Sequence, residues 1–189
     1  MASNLAIFAS GSGTNAEAII EFFQNDGSIN VSLVVASKST AGVIQRAERL
    51  GVEWVVVSQE VIDDEEAMLA LLDGFEIDYI ILAGWMKLIP AYLTKAFDGK
   101  MLNIHPALLP KFGGKGMYGA NVHKAVYEAG EKESGITIHQ VNAQYDEGEI
   151  IAQFRVPLAE DDDAASIEQK VRALELKHYP ATIKKFILS

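Results

Sequence analysis

The feature that most constrains this chain is the alternation, through its first half, of short apolar runs with segments whose apolar residues recur at helical spacing. Residues 5–9 are an apolar run that leads into glycines, and Ala16, Ile19, Ile20 and Phe23 then mark one helix face, with Thr14 or Asn15 as the candidate cap. Residues 31–36 predict a strand, 42–50 a helix stopped by Gly51, 54–57 a strand, and 65–72 a helix that ends near Gly74. Residues 78–84 are the most continuously apolar strand candidate, as expected of a central strand buried on two faces. Pro90 opens a short helix through Phe97. Strands joined by helices imply a parallel sheet with helices on both faces.

The pattern changes in the second half. A loop containing Gly113, Gly114, Gly116 and Gly119 leads to a helix over about 120–129. Residues 136–141 and 149–156 then read as two strands with only a loop between them, which makes them an antiparallel pair. Asp161, Asp162 and Asp163 precede the last helix, where negative charge suits the positive helix start, and Pro180 is expected to interrupt or kink that helix. The fold class is therefore α/β: a single-domain, open, mostly parallel twisted sheet of Rossmann-like type, with an antiparallel extension near the C-terminus. Ligands of such a sheet lie beyond the carboxyl ends of its strands.

With 189 residues, 49% hydrophobic and 22% charged, the chain suits one domain, 1–189, rather than two. It contains no apolar run of about 18 residues and no secretory signal pattern, so the expectation is a soluble cytoplasmic protein with no membrane partner. The absence of cysteine excludes disulfides, thiolate metal sites and cysteine nucleophiles. A formal charge of -10 opposes binding of nucleic acid. A single phosphate remains compatible with it, because local backbone dipoles outweigh distant charge that salt screens within about 10 Å.

Two motifs carry candidate chemistry. In Gly11-Ser12-Gly13-Thr14-Asn15 the glycines let the backbone approach a ligand, and a helix start offers N–H groups to an anion. The same residues would also serve as a plain strand-to-helix turn. The loop lacks the third glycine of a dinucleotide fingerprint and the Gly-Lys-Ser/Thr of a P-loop, and Ser12 is not in a Gly-x-Ser-x-Gly elbow. The second motif is Met101-Leu102-Asn103-Ile104-His105-Pro106. Asn103 and His105 are two apart on a strand and so leave it on one face. A carboxamide donates to developing negative charge, and an imidazole carries a proton near neutral pH. Asp146 is the candidate carboxylate beside them, and such a neighbour would raise the imidazole's pKa.

Taken singly, Asn103 could cap a turn, His105 could end a strand and Asp146 could be an ordinary loop residue. No two of His105, His123 and His139 have zinc-motif spacing, so no metal is expected, and His139 is read as supporting the site through hydrogen bonds.

Residues 9–15, residues 101–110 and the stretch from Ser134-Gly135-Ile136-Thr137-Ile138-His139 to Asp146-Glu147-Gly148, in this order and spacing, resemble the folate-dependent formyltransferase family over nearly the whole chain. The resemblance implies a single formyltransferase domain with a phosphate- and nucleotide-binding N-terminal half and a folate-binding, catalytic C-terminal half. The activity implied is transfer of formyl from 10-formyltetrahydrofolate to the amine of glycinamide ribonucleotide in purine synthesis. It would pass through a tetrahedral intermediate, with neither a covalent enzyme adduct nor a metal.

By the same resemblance Asn103 serves the oxyanion, His105 acid catalysis, and Asp146 the support of the histidine and of a proton-moving water. Gly13, Thr14 and Asn15 hold the ribose phosphate, while Arg172 and Glu175 contact the amine substrate; as a plain helix these two would form a solvent-facing i,i+3 pair. Met86, Lys87, Leu88, Ile89, Asn103, Asn142, Ala143, Gln144, Tyr145 and Asp146 contact the folate. Lys111 and Lys115 are either local positive charge for an anionic ligand or solvated loop lysines.

Three positions depart from the family pattern: Lys87 and Glu65 where arginine is common, and Glu149 where proline is common. These departures bear on the folate tail. The partners expected are small molecules, and the chain is a monomer or a homodimer. The alternatives are a formyltetrahydrofolate hydrolase, a sugar-nucleotide formyltransferase, or a non-catalytic nucleotide-binding module.

Overall fold

The computed structural model describes residues 2–189, which form two compact units, one reaching to Leu102 and the other Asn103–Ser189. In the first, β1 (Ser3–Ala9), β2 (Ile29–Ala36), β3 (Trp54–Val56) and β4 (Tyr79–Leu82) run parallel. Phe8 stands opposite Val35 on one side and Leu82 on the other, and Val35 pairs in turn with Val55. The connections are α1 (Thr14–Phe23), α2 (Val43–Leu50), α3 (Gln59–Asp63) and α4 (Glu65–Gly74), with α5 (Ala91–Ala96) after β4. Leu5, Ala6, Ile7, Phe8 and Ala9 are all buried, because β1 is covered on both faces.

β5 (Met101–His105) leads into the second unit, which contains α6 (Ala120–Glu128), β6 (Glu133–Gln140), β7 (Ile150–Pro157) and α7 (Ala164–Ile187). β6 and β7 are antiparallel, with Ile136 opposite Phe154 and Thr137 opposite Gln153, and α7 packs on both strands and on α6. The strand order β3-β2-β1-β4-β5-β6-β7 makes one seven-stranded sheet, mostly parallel with an antiparallel C-terminal pair, as the sequence predicts.

Within the first unit the chain leaves β1 for β2 and β3 on one side and returns to β4 on the other. The loops that follow β1 and β4 are thereby neighbours at a topological switch point. The Ser10 N–H donates to the Gly84 carbonyl at 3.0 Å, the Met86 N–H donates to the Ser10 hydroxyl at 3.2 Å, and Phe8 meets Trp85 edge to face.

Three local expectations give way. Thr14 and Asn15 are already helical, and Gly13, at φ 80°, takes the cap position of α1 without a side-chain bond. α3 has no counterpart in the sequence reading; Ser58 caps it and Asp64 caps α4 directly after it, so a polar stretch that looks like loop is a pair of short capped helices. Pro180 does not interrupt α7. Buried Tyr179, Pro180, Thr182 and Ile183 hold the helix by packing, and the Thr182 hydroxyl donates to the His178 carbonyl across the proline.

Asp163 starts α7 with a reciprocal capping box, accepting from the Ser166 N–H while the Ser166 hydroxyl accepts from the Asp163 N–H. Asp163→Ala removes one side of it and is expected to cost about 1 kcal/mol. For a chain of this length that lowers the midpoint of thermal unfolding by about 2–4 °C. An unchanged midpoint would show that the start of α7 does not depend on the cap.

Candidate active site

The second unit gathers four polar side chains from three segments. Asn103 and His105 leave β5 on one face; His139 stands near the end of β6, at a register shift between Ile138 and His139; Asp146 lies in the connection to β7. That connection closes tightly. A Cβ on Gly148 would sit 1.7 Å from the Gln140 carbonyl oxygen, so only glycine lets the returning chain come this close to β6.

The hydrogen bonds fix which nitrogen does what. A carbonyl oxygen only accepts, so His139 donates from Nδ1 to the Gln140 carbonyl at 2.7 Å. In the neutral ring this leaves Nε2 as the acceptor, and Asn103 donates to it from Nδ2 at 3.1 Å. The Asn103 amide is thereby oriented, with one of its two hydrogens engaged. His105 donates from Nε2 to the Phe112 carbonyl at 2.7 Å.

Asp146 stands against both rings. Its carboxylate oxygens lie 3.5 Å from His105 Nδ1 and 3.5 Å from His139 Nε2, and the Gly114 N–H donates to Oδ2 at 2.9 Å. At 3.5 Å both imidazole contacts are longer than an ordinary hydrogen bond. Phe112 and Asp146, the residues whose oxygens face His105, both have positive φ, 57° and 56°. For a bulky phenylalanine this is an uncommon conformation, so backbone strain is concentrated on either side of one imidazole.

Burial sets the charge of His105. Loss of solvent lowers its pKa, and although Asp146 and the Phe112 carbonyl pull upward, the net direction is down. The expectation from the carboxylate alone was upward; the structure reverses it because the ring is 3% exposed. Asp146 is itself partly desolvated, which raises its pKa, but the neighbouring His139 and His105 and the Gly114 N–H outweigh burial and hold it below the ordinary carboxylate value. The resting pair is a neutral imidazole facing a carboxylate.

The remaining candidates sit elsewhere. Arg172 and Glu175 lie on α7, outside the group joined by Asp146, and Arg172 pairs with Glu168 at 3.3 Å. His123, on α6, is buried; desolvation lowers its pKa, and it senses the charges of Glu168, Arg172 and His105.

In the 142–146 connection Asn142, Ala143, Gln144 and Tyr145 are exposed, and Asn142 Oδ1 accepts from the Gln144 N–H. Lys111 is engaged by Glu131 at 2.7 Å, and Lys115 is exposed. In the first unit Met86 and Leu88 are exposed, Lys87 is half-buried and Ile89 is core. Gly13, Thr14 and Asn15 lie at the start of α1, and Glu65 and Glu66 occupy the first turn of α4, where acidic residues suit the helix start.

The sequence offers no sign of the Phe112 carbonyl and only an indirect one, the paired Gly113-Gly114, of the amide that holds Asp146. No group of three or more His, Asp or Glu placed to hold a metal ion occurs among the described residues.

A carboxylate between two imidazoles, with a fixed carboxamide alongside, is chemically able to exchange protons and to donate to negative charge, and it stands on an open α/β sheet. The family model described as formyl transferase matches residues 3–183, and the chain belongs to that family. It is 41% identical over 93% of its length to "Phosphoribosylglycinamide formyltransferase, chloroplastic" of Arabidopsis thaliana, and spans 62% of that protein. It is 37% identical to the Bacillus subtilis (strain 168) phosphoribosylglycinamide formyltransferase, over 96% of this chain and 93% of that one. Among solved structures, the Brucella melitensis phosphoribosylglycinamide formyltransferase superposes with a TM-score of 0.88 at 35% identity, covering 98% of this chain and 96% of that one.

Because the His105 pKa lies below its ordinary value of 6.5, the unfolded ring takes a proton first as pH falls, and stability is lost from about pH 6.5 downward. The lowered Asp146 pKa adds a loss at still lower pH, below 3.8. His123 and His178, whose pKa values are also lowered by burial, act with the same sign as His105. Urea unfolding at pH 7 and pH 5 should show the protein less stable at pH 5, with a smaller difference in His105→Gln. An equal difference in the variant would contradict a neutral buried His105.

Proposed function

We propose that this chain transfers a formyl group from 10-formyltetrahydrofolate to the primary amine of glycinamide ribonucleotide, releasing tetrahydrofolate. The observation that carries the reading is the Asp146 carboxylate standing 3.5 Å from both His105 Nδ1 and His139 Nε2, with Asn103 fixed on His139. Membership of the formyl transferase family and the names of the relatives support the choice of reaction. In this reading the protein acts in the cytoplasm as a monomer or homodimer, without a metal.

The amine nitrogen attacks the formyl carbon, and the formyl oxygen becomes an oxyanion. Asn103 donates its second amide hydrogen to that oxygen, since the first is held by His139. The bond from the carbon to the folate nitrogen then breaks, and that nitrogen must leave with a proton. His105 carries it: the neutral ring accepts the proton released by the amine, Asp146 stabilises the imidazolium, and the ring passes the proton to the departing nitrogen. No bond from the protein to the substrate is needed.

Gly13, Thr14 and Asn15 hold the substrate phosphate at the start of α1, and Arg172 and Glu175 serve the amine substrate. Met86, Lys87, Leu88 and Ile89, with Asn103, Asn142, Ala143, Gln144, Tyr145 and Asp146, serve the folate. Among the first four, exposed Met86 and Leu88 offer side chains, while buried Ile89 shapes the backbone.

The test is an assay of purified protein with both substrates, followed by tetrahydrofolate release. Turnover should require the ribonucleotide; release of formate in its absence would favour the hydrolase. His105→Ala should lose turnover while keeping the wild-type circular dichroism spectrum. Asn103→Ala should lower kcat by about 10²–10³-fold, the effect of removing one oxyanion donor. Near-normal turnover in His105→Ala would refute the assigned chemistry.

A further inference from the structure

The glycine loop after β1 is held from behind by α2. The Val43 N–H donates to the Gly11 carbonyl at 3.2 Å, and Arg46 donates from Nε to the Ser12 carbonyl at 2.7 Å. The fit is close: a Cβ on Gly13 would sit 2.6 Å from Val43 Cα, and one on Gly42 would sit 3.2 Å from Ser12. In a trans peptide the carbonyl and the following N–H point in opposite directions. Two consecutive carbonyls drawn toward α2 therefore turn the Ser12 and Gly13 N–H groups away from it, side by side. Successive amides so presented make an anion-binding concavity, and they adjoin the positive end of α1.

One charge works against that use. Glu17 lies in the first turn of α1, where a carboxylate would repel a bound anion. It is paired with both Arg46 and Arg49 and is itself mostly buried, with side-chain exposure of 20%. Arg46 thus makes two contacts with its planar fork: one on the Ser12 carbonyl and one on Glu17.

We infer that Arg46, clamped by Glu17, is a positioning residue that orients the Ser12–Gly13 peptide for binding a phosphate monoester. The inference deepens the proposed function, resting on its reading that this loop takes the phosphate of the ribonucleotide. Arg46 works from the rear of the loop and through its backbone, and Glu17 contributes by fixing the guanidinium in place.

The two ways an arginine can favour an anion predict opposite results. If Arg46 and Glu17 acted only through net charge, Glu17→Gln would tighten phosphate binding, and Arg46→Lys would behave as wild type. If they position the peptide, Glu17→Gln weakens binding, and Arg46→Lys recovers only part of what Arg46→Ala loses, since one ammonium cannot reproduce the planar two-point contact.

Two measurements decide. Steady-state kinetics should show KM for glycinamide ribonucleotide raised by about 10-fold or more in Arg46→Ala, the effect of losing one charge-assisted hydrogen bond, and raised by a smaller factor in Glu17→Gln. kcat and KM for the folate should stay within about 2-fold of wild type, because uniform binding alone is removed. Titration of the ¹⁵N-labelled protein with inorganic phosphate, followed at the Ser12 and Gly13 amides, should rank wild type above Glu17→Gln above Arg46→Ala. Should the wild type lack turnover with the ribonucleotide, the functional reading falls, and the phosphate titration still judges the loop. Should Arg46→Ala fail to fold, the nearly isosteric Glu17→Gln carries the test. Tighter or unchanged phosphate binding in Glu17→Gln, wild-type behaviour of Arg46→Lys, or a wild-type loop that does not respond to phosphate would each overturn the inference.

Discussion

The second unit is organised around a carboxylate that has given up much of its water. Asp146 meets two imidazoles and one backbone amide, and each of these favours its charged form against the cost of burial. Most local peculiarities of the unit follow from bringing it there. Gly148 has no side chain because its backbone abuts the Gln140 carbonyl. Asp146 and Phe112 take positive φ so that a carboxylate and a carbonyl both reach His105, and the chain departs from its helical and strand conformations where those oxygens are needed.

The two histidines differ in their hydrogen bonds. His139 is committed: Nδ1 is fixed on the Gln140 carbonyl, and Nε2 receives Asn103. His105 is poised, with an acceptor opposite each nitrogen and a desolvated ring that resists the second proton those acceptors invite. In the proposed reaction such a ring would take up and return a proton.

The sequence made legible whatever depends on period and on side-chain type. The parallel order of β1 to β4 follows from apolar runs separated by helical spacing, and the β6–β7 pair from two runs with only a loop between them. Asn103 and His105 share a face because a strand repeats every two residues. What it could not reveal is carried by backbone and by solvent. The Phe112 carbonyl and the Gly114 amide belong to every residue type alike, so no letter marks them. The direction of the His105 pKa depended on burial, which the adjacent carboxylate alone does not disclose. Thr14 and Asn15 have the right chemistry to cap α1, yet the cap fell to Gly13, because close packing against Val43 and a left-handed backbone decided the position. Pro180 stays inside α7 for a related reason: buried neighbours outweigh the lost N–H.

Recognition of a phosphate, as proposed for this chain of formal charge -10, has to act over short distances, since the overall field is unfavourable. The glycine loop offers a physical means. Peptide dipoles supply positive potential with no net charge, and they cost little reorganisation once their carbonyls are secured. Arg46 and Arg49 are occupied by Glu17. In the inference drawn above, both silence the one carboxylate in the first turn of α1, and Arg46 sets the orientation of a single peptide. In that proposal geometry does what net charge cannot.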